Sequence, residues 1–111
     1  MGGFIKGDVV TVPFPFSDLS DTKLRPALVI TNLKGDDLIL CQITHQYYNK
    51  DIYKISLTDT DFIAGKLKVD SFIRPNRIFT AHSKIIQSKK GNISKGKLNE
   101  VIDKLIEIIK T

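Results

Sequence analysis

Three apolar stretches in the first half of the sequence have the length and composition of β-strands. Residues 9–12 form a β-branched run that stops at Pro13, and residues 27–31 form a second run that begins just after Pro26. A polar turn containing glycine precedes a third stretch, residues 38–44. Short apolar runs bounded by proline and glycine are typical of strands. The second stretch is apolar on both faces, which favours a curled sheet or small barrel over an open sheet.

The third stretch alternates in a way that separates a core face from a face that changes character. One face is apolar throughout and carries Ile39, Cys41 and Ile43. The other face turns from apolar to polar along the strand, in the order Leu38, Leu40, Gln42 and Thr44. Such a change is expected where a strand leaves the core and meets a functional site.

The middle of the chain predicts further short strands separated by turns. The candidate strands, in chain order, are residues 52–57, 67–74, 78–81 and 87–93. Pro75 either ends the second of these or bends it into the third. The Thr-Asp-Thr-Asp cluster at residues 58–61 predicts a turn or helix N-cap that opens a single helical turn through Ala64. A short turn is predicted at residues 83–86.

The clearest element is a C-terminal amphipathic helix that runs from Ser94, its N-cap, to about Lys110. Its apolar residues recur at helical spacing, at Leu98, Val101, Ile102, Leu105, Ile108 and Ile109. Lys97 holds the position where the Glu of a capping box would sit, so no capping box is expected. One helix closing a β-rich body predicts an α+β fold that is mostly β.

At 111 residues, the chain is expected to form a single domain over residues 1–111. No run approaches the roughly 18 consecutive apolar residues of a membrane span. The N-terminus has no apolar signal region, so we expect a cytoplasmic protein with no membrane association. The lone Cys41 lies in an apolar run and is expected to be a buried structural thiol.

The formal net charge of +5 and the pI near 9.4 fit a polyanionic partner such as RNA, DNA or an acidic protein tail. A lysine-rich surface that serves only solubility explains the charge equally well. The three arginines, Arg25, Arg74 and Arg77, lie outside any charge run. They are the more informative cations, because a guanidinium suits bidentate contacts with phosphate.

Several kinds of site find little support in the sequence. The two histidines, His45 and His82, and the single cysteine show no spacing typical of metal ligands, so no metal site is expected. Phosphate-loop and dinucleotide-binding fingerprints are absent, so no cofactor is expected. No nucleophile elbow marks a serine, and Cys41 lacks a nearby cation that would activate it.

The polar loop between the first two strands is a candidate for chemistry, because loops held by buried strands commonly carry function. Arg25 ends this loop and precedes Pro26, which biases the arginine backbone toward extended geometry. RNA cleavage needs few protein groups, since the 2′-hydroxyl is its own nucleophile and an arginine can stabilise the phosphorane. Arg25 and Thr44 could converge at one edge of the sheet. Alternatively, Arg25 is a solvated strand-entry residue and Thr44 an ordinary strand-end hydroxyl.

Six segments, in order along most of the chain, together resemble the MazF/PemK-type toxins of bacterial toxin–antitoxin pairs. They are Gly7-Asp8-Val9-Val10, the Pro-Phe-Pro-Phe run at 13–16, Lys-Leu-Arg-Pro-Ala-Leu-Val-Ile at 23–30, Ile-Leu-Cys-Gln-Ile-Thr at 39–44, Val-Asp-Ser-Phe-Ile-Arg-Pro-Asn-Arg-Ile-Phe-Thr at 69–80, and Gly-Asn-Ile-Ser at 91–94 followed by the helix. Each segment alone is a weak signal, whereas the ordered set is fairly specific.

The resemblance implies an SH3-like small barrel of the MazF/PemK/CcdB type with a C-terminal helix, and a homodimer. It implies the toxin of a type II toxin–antitoxin system that cleaves single-stranded RNA without a metal, giving a cyclic phosphate and a 5′-hydroxyl. The catalytic Arg and Thr of the family match Arg25 and Thr44. The acidic tail of a cognate antitoxin would occupy the groove that binds RNA.

The resemblance also implies RNA contacts, with the loop at residues 17–24 bordering the RNA path. The candidate RNA-binding residues are Ser17, Asp18, Ser20, Lys23, Gln42, His45 and Arg74. His45 stands where the family often has a small polar residue. If the strand continues past Thr44, His45 faces away from it and serves in the loop or in packing; if the strand ends there, His45 could transfer a proton. Asp18 and Asp21 either hold Lys23 or Arg25 in place or cap turns.

Two other readings use the same fold. One is a non-catalytic nucleic-acid or protein-binding module; its gyrase-poisoning form relies on a C-terminal Trp, and this chain has none. The other is an adaptor with an aromatic groove, for which Tyr47, Tyr48 and Tyr53 are the candidates.

Overall fold

The computed structural model describes residues 3–14, 23–47 and 49–111. These residues form seven strands, one α-helix and two single turns of 3₁₀-helix. The strands are β1 Asp8–Phe14, β2 Lys23–Asn32, β3 Asp37–Thr44, β4 Ile55–Leu57, β5 Phe62–Gly65, β6 Ser71–His82 and β7 Ser88–Ile93. The helix α1 is Lys95–Lys110, and the 3₁₀ turns are Asp59–Asp61 and Ser83–Ile85.

The strands form one antiparallel sheet in the order β4-β6-β3-β2-β1-β7-β5. The sheet is curled and has the shape of half a barrel. The predicted mostly-β α+β fold with a small curled barrel and one C-terminal helix is confirmed. Among the described residues, no helix combines the length and apolarity that a bilayer crossing requires.

Apolar residues pack on both faces of this sheet. One cluster joins the sheet to the helix and includes Val9, Leu28, Cys41, Ile43, Ile73, Leu98 and Val101. A second cluster lies on the other face of the central strands and includes Val10, Val12, Ala27, Val29, Leu38 and Leu40. The residues of β2 alternate between the two clusters, which explains why this strand reads as apolar on both faces.

The strands predicted at 9–12, 27–31 and 38–44 are confirmed as β1, β2 and β3. β1 and β2 extend beyond the predicted bounds at both ends, and β3 gains only Asp37. The C-terminal helix is confirmed as well, and the Ser94 side chain caps it by accepting a hydrogen bond from the Lys97 backbone N–H at 3.2 Å. In place of a capping-box contact, Lys97 Nζ lies 3.6 Å from an Asp61 carboxylate oxygen and 3.2 Å from Glu100.

The predicted strand at 52–57 begins only at Ile55. Ile52 is 77% exposed and lies in a turn, where the Asp51 side chain accepts a hydrogen bond from the Tyr53 backbone N–H at 3.1 Å. An aspartate that bonds a backbone N–H two residues ahead favours a turn over an extended strand. The apolar character of Ile52 therefore gave a misleading strand signal.

The helical turn predicted through Ala64 is wrong beyond Asp61, where the chain becomes strand β5 and pairs with β7. The two backbones approach closely at Gly65 and Gly91. A Cβ on Gly65 would lie 2.1 Å from the Lys90 carbonyl oxygen, and Gly65 has a φ of 75°. These glycines permit a pairing that other residues would block.

The strands predicted at 67–74 and 78–81 are joined through Pro75 in the single strand β6, Ser71–His82, so the alternative in which Pro75 bends one strand into the next is confirmed. Residues 67–70 lie outside this strand. The pairing of β6 with β3 jumps from Gln42↔Arg74 to Cys41↔Ile78. Residues 75–77 therefore form a three-residue bulge, at the point where Pro75 cannot donate a ladder hydrogen bond.

Candidate active site

The candidate pair Arg25 and Thr44 lies at the same end of two neighbouring strands. The last paired residues of β2 and β3 at this end are Ala27 and Gln42. Continuing that antiparallel register by two residues brings Arg25 opposite Thr44. On its other side, Arg25 pairs with Val12 of β1.

Strand alternation puts four of the candidate residues on one face of the sheet. Arg25 is two residues from Ala27, and Gln42 is two residues from Leu40; both Ala27 and Leu40 belong to the second apolar cluster. Thr44 follows at the next position of the same face, and Arg74 pairs directly with Gln42. The polar end of this face thus carries Arg25, Gln42, Thr44 and Arg74.

Thr44 is held in a defined orientation. It is 8% exposed, and its Oγ1 accepts a hydrogen bond from the Gln46 backbone N–H at 3.1 Å. A hydroxyl has one donor and two acceptor sites. Because Gln46 uses an acceptor site, the Thr44 O–H can still donate to a ligand oxygen.

Arg25 is half-buried and forms no ion pair with another residue of the described ranges. The described ranges exclude Ser17, Asp18, Ser20 and Asp21, so the predictions made for these loop residues lie outside them. Within those ranges, the positive charge of Arg25 is available to an anionic ligand.

Arg74 has a different environment. Its Nε donates to Asp51 Oδ2 at 2.9 Å, and the two side chains are 13% and 4% exposed. The other carboxylate oxygen of Asp51 accepts from the Tyr53 N–H, and Lys54 Nζ donates to the Asp51 carbonyl at 2.9 Å. Asp51 therefore ties the turn after the β3 loop to strand β6. Sequence reasoning missed this role, since a loop aspartate carries no signal for a partner 23 residues away.

The bulge in β6 opens a groove beside this ion pair. The groove has a volume of about 430 Å³ and is lined by Lys50, Ile52, Tyr53, Asn76 and Arg77 around the Asp51–Arg74 pair. A second hollow of about 310 Å³ shares Arg74 and Arg77 with it and extends to Gln42. Sequence reasoning singled out Arg77 as an isolated arginine and Tyr53 as a candidate for an aromatic groove, but it missed Ile52 and Asn76 as lining residues. Pro75 within a strand was the available signal.

Of the other predicted site residues, His45 is exposed and lies just after β3, which ends at Thr44. The strand-end condition for a proton-transfer role of His45 is therefore met. Lys23 is exposed at the start of β2. Two of the three tyrosines of the adaptor reading, Tyr47 and Tyr53, lie among the described residues. Tyr53 lines the groove, Tyr47 packs edge-on against Phe72, and Tyr48 is not described.

Cys41 is a structural thiol, as predicted. It is 0% exposed, and burial raises its pKa from 9.0 to about 12. The thiolate is the nucleophilic form of cysteine, and burial disfavours it strongly. In the described ranges, no three His, Cys, Asp or Glu side chains come together as metal ligands would.

Solved structures with the same fold cover almost the whole chain. An endoribonuclease in complex with its cognate antitoxin, from a Mycobacterial species, has a TM-score of 0.76 at 12% identity and covers 97% of this chain and 96% of its own. The MazE–MazF structure from Deinococcus radiodurans has a TM-score of 0.76 at 17% identity and covers 99% of both chains. The Mycobacterium tuberculosis toxin MazF-mt6 has a TM-score of 0.71 at 10% identity and covers 93% of this chain and 96% of its own.

At these identities, the solved structures establish a shared fold. The comparison with curated proteins gave no match. The family assignment comes from a sequence model described as a PemK-like, MazF-like toxin of type II toxin–antitoxin systems, which matches residues 5–109. The chain therefore belongs to the PemK-like, MazF-like toxin family of type II toxin–antitoxin systems.

Proposed function

We propose that this toxin is a sequence-selective endoribonuclease that cleaves single-stranded RNA, including mRNA, without a metal ion. The observation that supports the proposal most is the register of β2 and β3, which ends at Ala27 and Gln42 and, continued by two residues, brings Arg25 opposite Thr44 at the polar end of an otherwise apolar face. Two solved structures with this fold are of endoribonucleases, and a third is of a MazF toxin.

In the proposed reaction, the 2′-oxygen of RNA attacks the adjacent phosphorus and the bond from phosphorus to the 5′-oxygen breaks. The products are a 2′,3′-cyclic phosphate and a 5′-hydroxyl. The 2′-hydroxyl loses a proton and the leaving 5′-oxygen gains one. Negative charge builds on the non-bridging oxygens, where the Arg25 guanidinium and the Thr44 hydroxyl donate hydrogen bonds in this mechanism.

His45 is the candidate for proton transfer. It follows Thr44 directly and is exposed at the strand end, within reach of a substrate bound there. An imidazole changes its charge near neutral pH, whereas a guanidinium stays protonated. The division of labour would then be charge stabilisation by Arg25 and proton movement by His45.

The proposed RNA path extends from the loop at residues 17–24 across the polar end of the sheet. Its candidate contacts are those of the sequence-based prediction, Ser17, Asp18, Ser20, Lys23, Gln42, His45 and Arg74. Cationic contacts with phosphate release counterions, so binding is expected to weaken as the salt concentration rises.

We propose further that the toxin acts in the cytoplasm as a homodimer of single-domain chains and is neutralised by an antitoxin with an acidic tail. The net charge of +5 supports an acidic partner. Two of the similar structures are named as toxin–antitoxin pairs, one with its cognate antitoxin and one as MazE–MazF.

The proposal is tested by incubating the purified protein with a long natural RNA in excess chelator and mapping the new 5′ ends. Discrete cuts that carry 5′-hydroxyls are expected. Intact RNA beside an active control nuclease would contradict the proposal, and RNA that is bound but uncut would favour the non-catalytic binding module.

A further inference from the structure

The bulge in β6 pushes polar side chains out of the sheet at one place. Pro75 is fully buried, whereas Asn76 and Arg77, which follow it in the bulge, are exposed. The pairing of β3 passes from Gln42↔Arg74 to Cys41↔Ile78, so residues 75–77 have no partner on β3. A bulge of this kind redirects side chains and ends regular pairing beside functional sites.

The groove that results has a combination of groups suited to a nucleotide. Tyr53 is 36% exposed and presents a ring on which a base can stack. Lys50 and Arg77 supply two exposed cations for phosphate oxygens. Asn76 supplies an exposed amide, which can donate to and accept from a base edge.

The wall of the groove is fixed in place. Both carboxylate oxygens of Asp51 are used, one by Arg74 Nε at 2.9 Å and the other by the Tyr53 N–H at 3.1 Å. The turn that carries Lys50 and Tyr53 is therefore attached to the strand that carries Asn76 and Arg77. Because Arg74 neutralises the Asp51 carboxylate, Lys50 and Arg77 leave the groove positively charged.

The groove is continuous with the candidate active site. The second hollow shares Arg74 and Arg77 with it and reaches Gln42. Gln42 and Thr44 are two residues apart on one face of β3, a separation of about 7 Å along a strand. The groove volume of about 430 Å³ lies within the usual range for small-ligand pockets, roughly 300–1,000 Å³.

We propose that this groove binds one unpaired nucleotide next to the cleavage point, with Tyr53 stacking on the base, Arg77 and Lys50 contacting phosphate, and Asn76 reading the base edge. The inference rests on the proposed endoribonuclease function and assigns part of its sequence selectivity to residues 50–53 and 75–77. Single-stranded RNA is recognised in this manner, by stacking together with hydrogen bonds to base edges.

The first test compares cut-site preferences of the wild type with those of Tyr53→Ala, Tyr53→Phe and Asn76→Ala on the same long RNA. Asn76→Ala is expected to relax the base preference at one position beside the cut while cleavage continues. Tyr53→Ala is expected to lower kcat/KM about tenfold through lost stacking, and Tyr53→Phe to retain it. Asn99→Ala, at an exposed position on the helix, is the matched control.

Unchanged cut-site preferences and cleavage rates in both Tyr53→Ala and Asn76→Ala would overturn the inference. Thermal melts identify any variant that is partly unfolded. If a groove variant is partly unfolded, Arg77→Lys replaces that variant in the comparison, because lysine keeps the charge but loses the bidentate geometry of the guanidinium.

The second test does not depend on cleavage. A short single-stranded RNA that carries 4-thiouridine is cross-linked to the Arg25→Ala protein, and the attached tryptic peptides are identified. Cross-links within residues 51–54 or 69–77 are expected. Cross-links confined to other segments, with wild-type cleavage intact, would overturn the groove inference alone. Cross-links in the groove without any wild-type cleavage would support the groove and overturn the endoribonuclease proposal.

Discussion

The arginines of two Arg-Pro dipeptides, at residues 25–26 and 74–75, lie on the same face of the sheet, and their surroundings differ. Pro26 continues the pairing of β2 with β1 opposite Thr11, and it lies just beyond the last β2–β3 pair. Pro75 interrupts β6 and begins the three-residue bulge. A proline is tolerated where the partner strand requires no donor, and it breaks the register where a central ladder continues.

The arginines that precede these prolines differ accordingly. Arg74 is 13% exposed and is paired with the buried Asp51 carboxylate, so its charge helps to hold a turn against the sheet. Arg25 is half-buried, and within the described ranges it has no ion pair. The same dipeptide therefore provides a structural cation in one strand and, at the proposed reaction centre, a cation available to a ligand.

The largest expected effect comes from Arg25→Ala. We expect the RNA cleavage rate to fall about 10²–10³-fold, because a donor to the developing phosphorane charge is lost. Unfolding free energy should fall by no more than about 1 kcal/mol, because this half-buried side chain forms no ion pair within the described ranges. Rates on a fixed RNA and urea denaturation measure the two quantities. Arg25→Lys keeps the charge and should recover part of the activity; wild-type rates in Arg25→Ala would refute the assignment.

Asp51→Ala should act mainly on the stability of the fold. It leaves a mostly buried guanidinium without its carboxylate, which costs about 3 kcal/mol of unfolding free energy. Urea denaturation of Asp51→Ala, Arg74→Ala and the double variant gives the coupling energy of the pair. We expect the double variant to be less destabilised than the sum of the single variants. Additive losses would show that the ion pair does not join the turn to β6.

A smaller loss of activity is expected for Thr44→Val, which keeps the shape of the side chain but removes the hydroxyl. Loss of one hydrogen bond to a charged group should lower the cleavage rate about tenfold. The Gln46 N–H also loses its acceptor, so a modest drop in the thermal midpoint should accompany the change. Thr44→Ser retains the hydroxyl and is the control; equal activity of Val and Ser variants would remove Thr44 from the mechanism.

The two prolines are expected to affect stability alone, and their substitution compares the two sites directly. Pro26→Ala should lower the unfolding free energy by about 0.5 kcal/mol, mainly because the unfolded chain gains freedom. Pro75→Ala should cost more, about 1.5 kcal/mol, because a fully buried ring also loses apolar contact. Paired urea titrations measure the difference. A larger loss at Pro26 would contradict the distinction between the regular strand and the bulge.

Much of the fold could be predicted because local patterns there agree with the tertiary structure. The run at 27–31 is buried over residues 27–30, and residues 38–41 alternate between the two apolar clusters, although the pattern predicts a single core face for β3. The helix follows its apolar spacing and its Ser94 cap. Elements this consistent need little information from the rest of the chain.

The missed elements depend on distant partners. Strand β5 exists because Gly65 and Gly91 allow its backbone to approach β7, and this contact spans 26 residues of sequence. The turn at Asp59–Asp61 has the capping residues of a helix, but pairing with β7 takes over at Phe62. Period and propensity describe neighbours along the chain and carry little information about such contacts.

The candidate site divides in the same way. Arg25 and Thr44 were predictable as a pair, because each is a polar residue at the end of an apolar strand and consecutive strands commonly pair. The Asp51–Arg74 pair and the groove beside it could not be predicted, because Asp51 resembles any polar loop residue in the sequence. Their relation requires the fold of the loop after β3 and the bulge of β6.

The buried Cys41 gives this toxin a built-in reporter of opening motions. It is the single cysteine of the chain, lies between Leu28 and Ile78 on the neighbouring strands, and has a pKa raised to about 12. An alkylating reagent reacts with the thiolate, so labelling at neutral pH requires the sheet to open at this strand. The labelling rate therefore reports how often β3, the strand that ends at Thr44, opens. A ligand that stabilises this end of the sheet would slow the labelling of the thiol, and no probe has to be engineered into the protein to detect it.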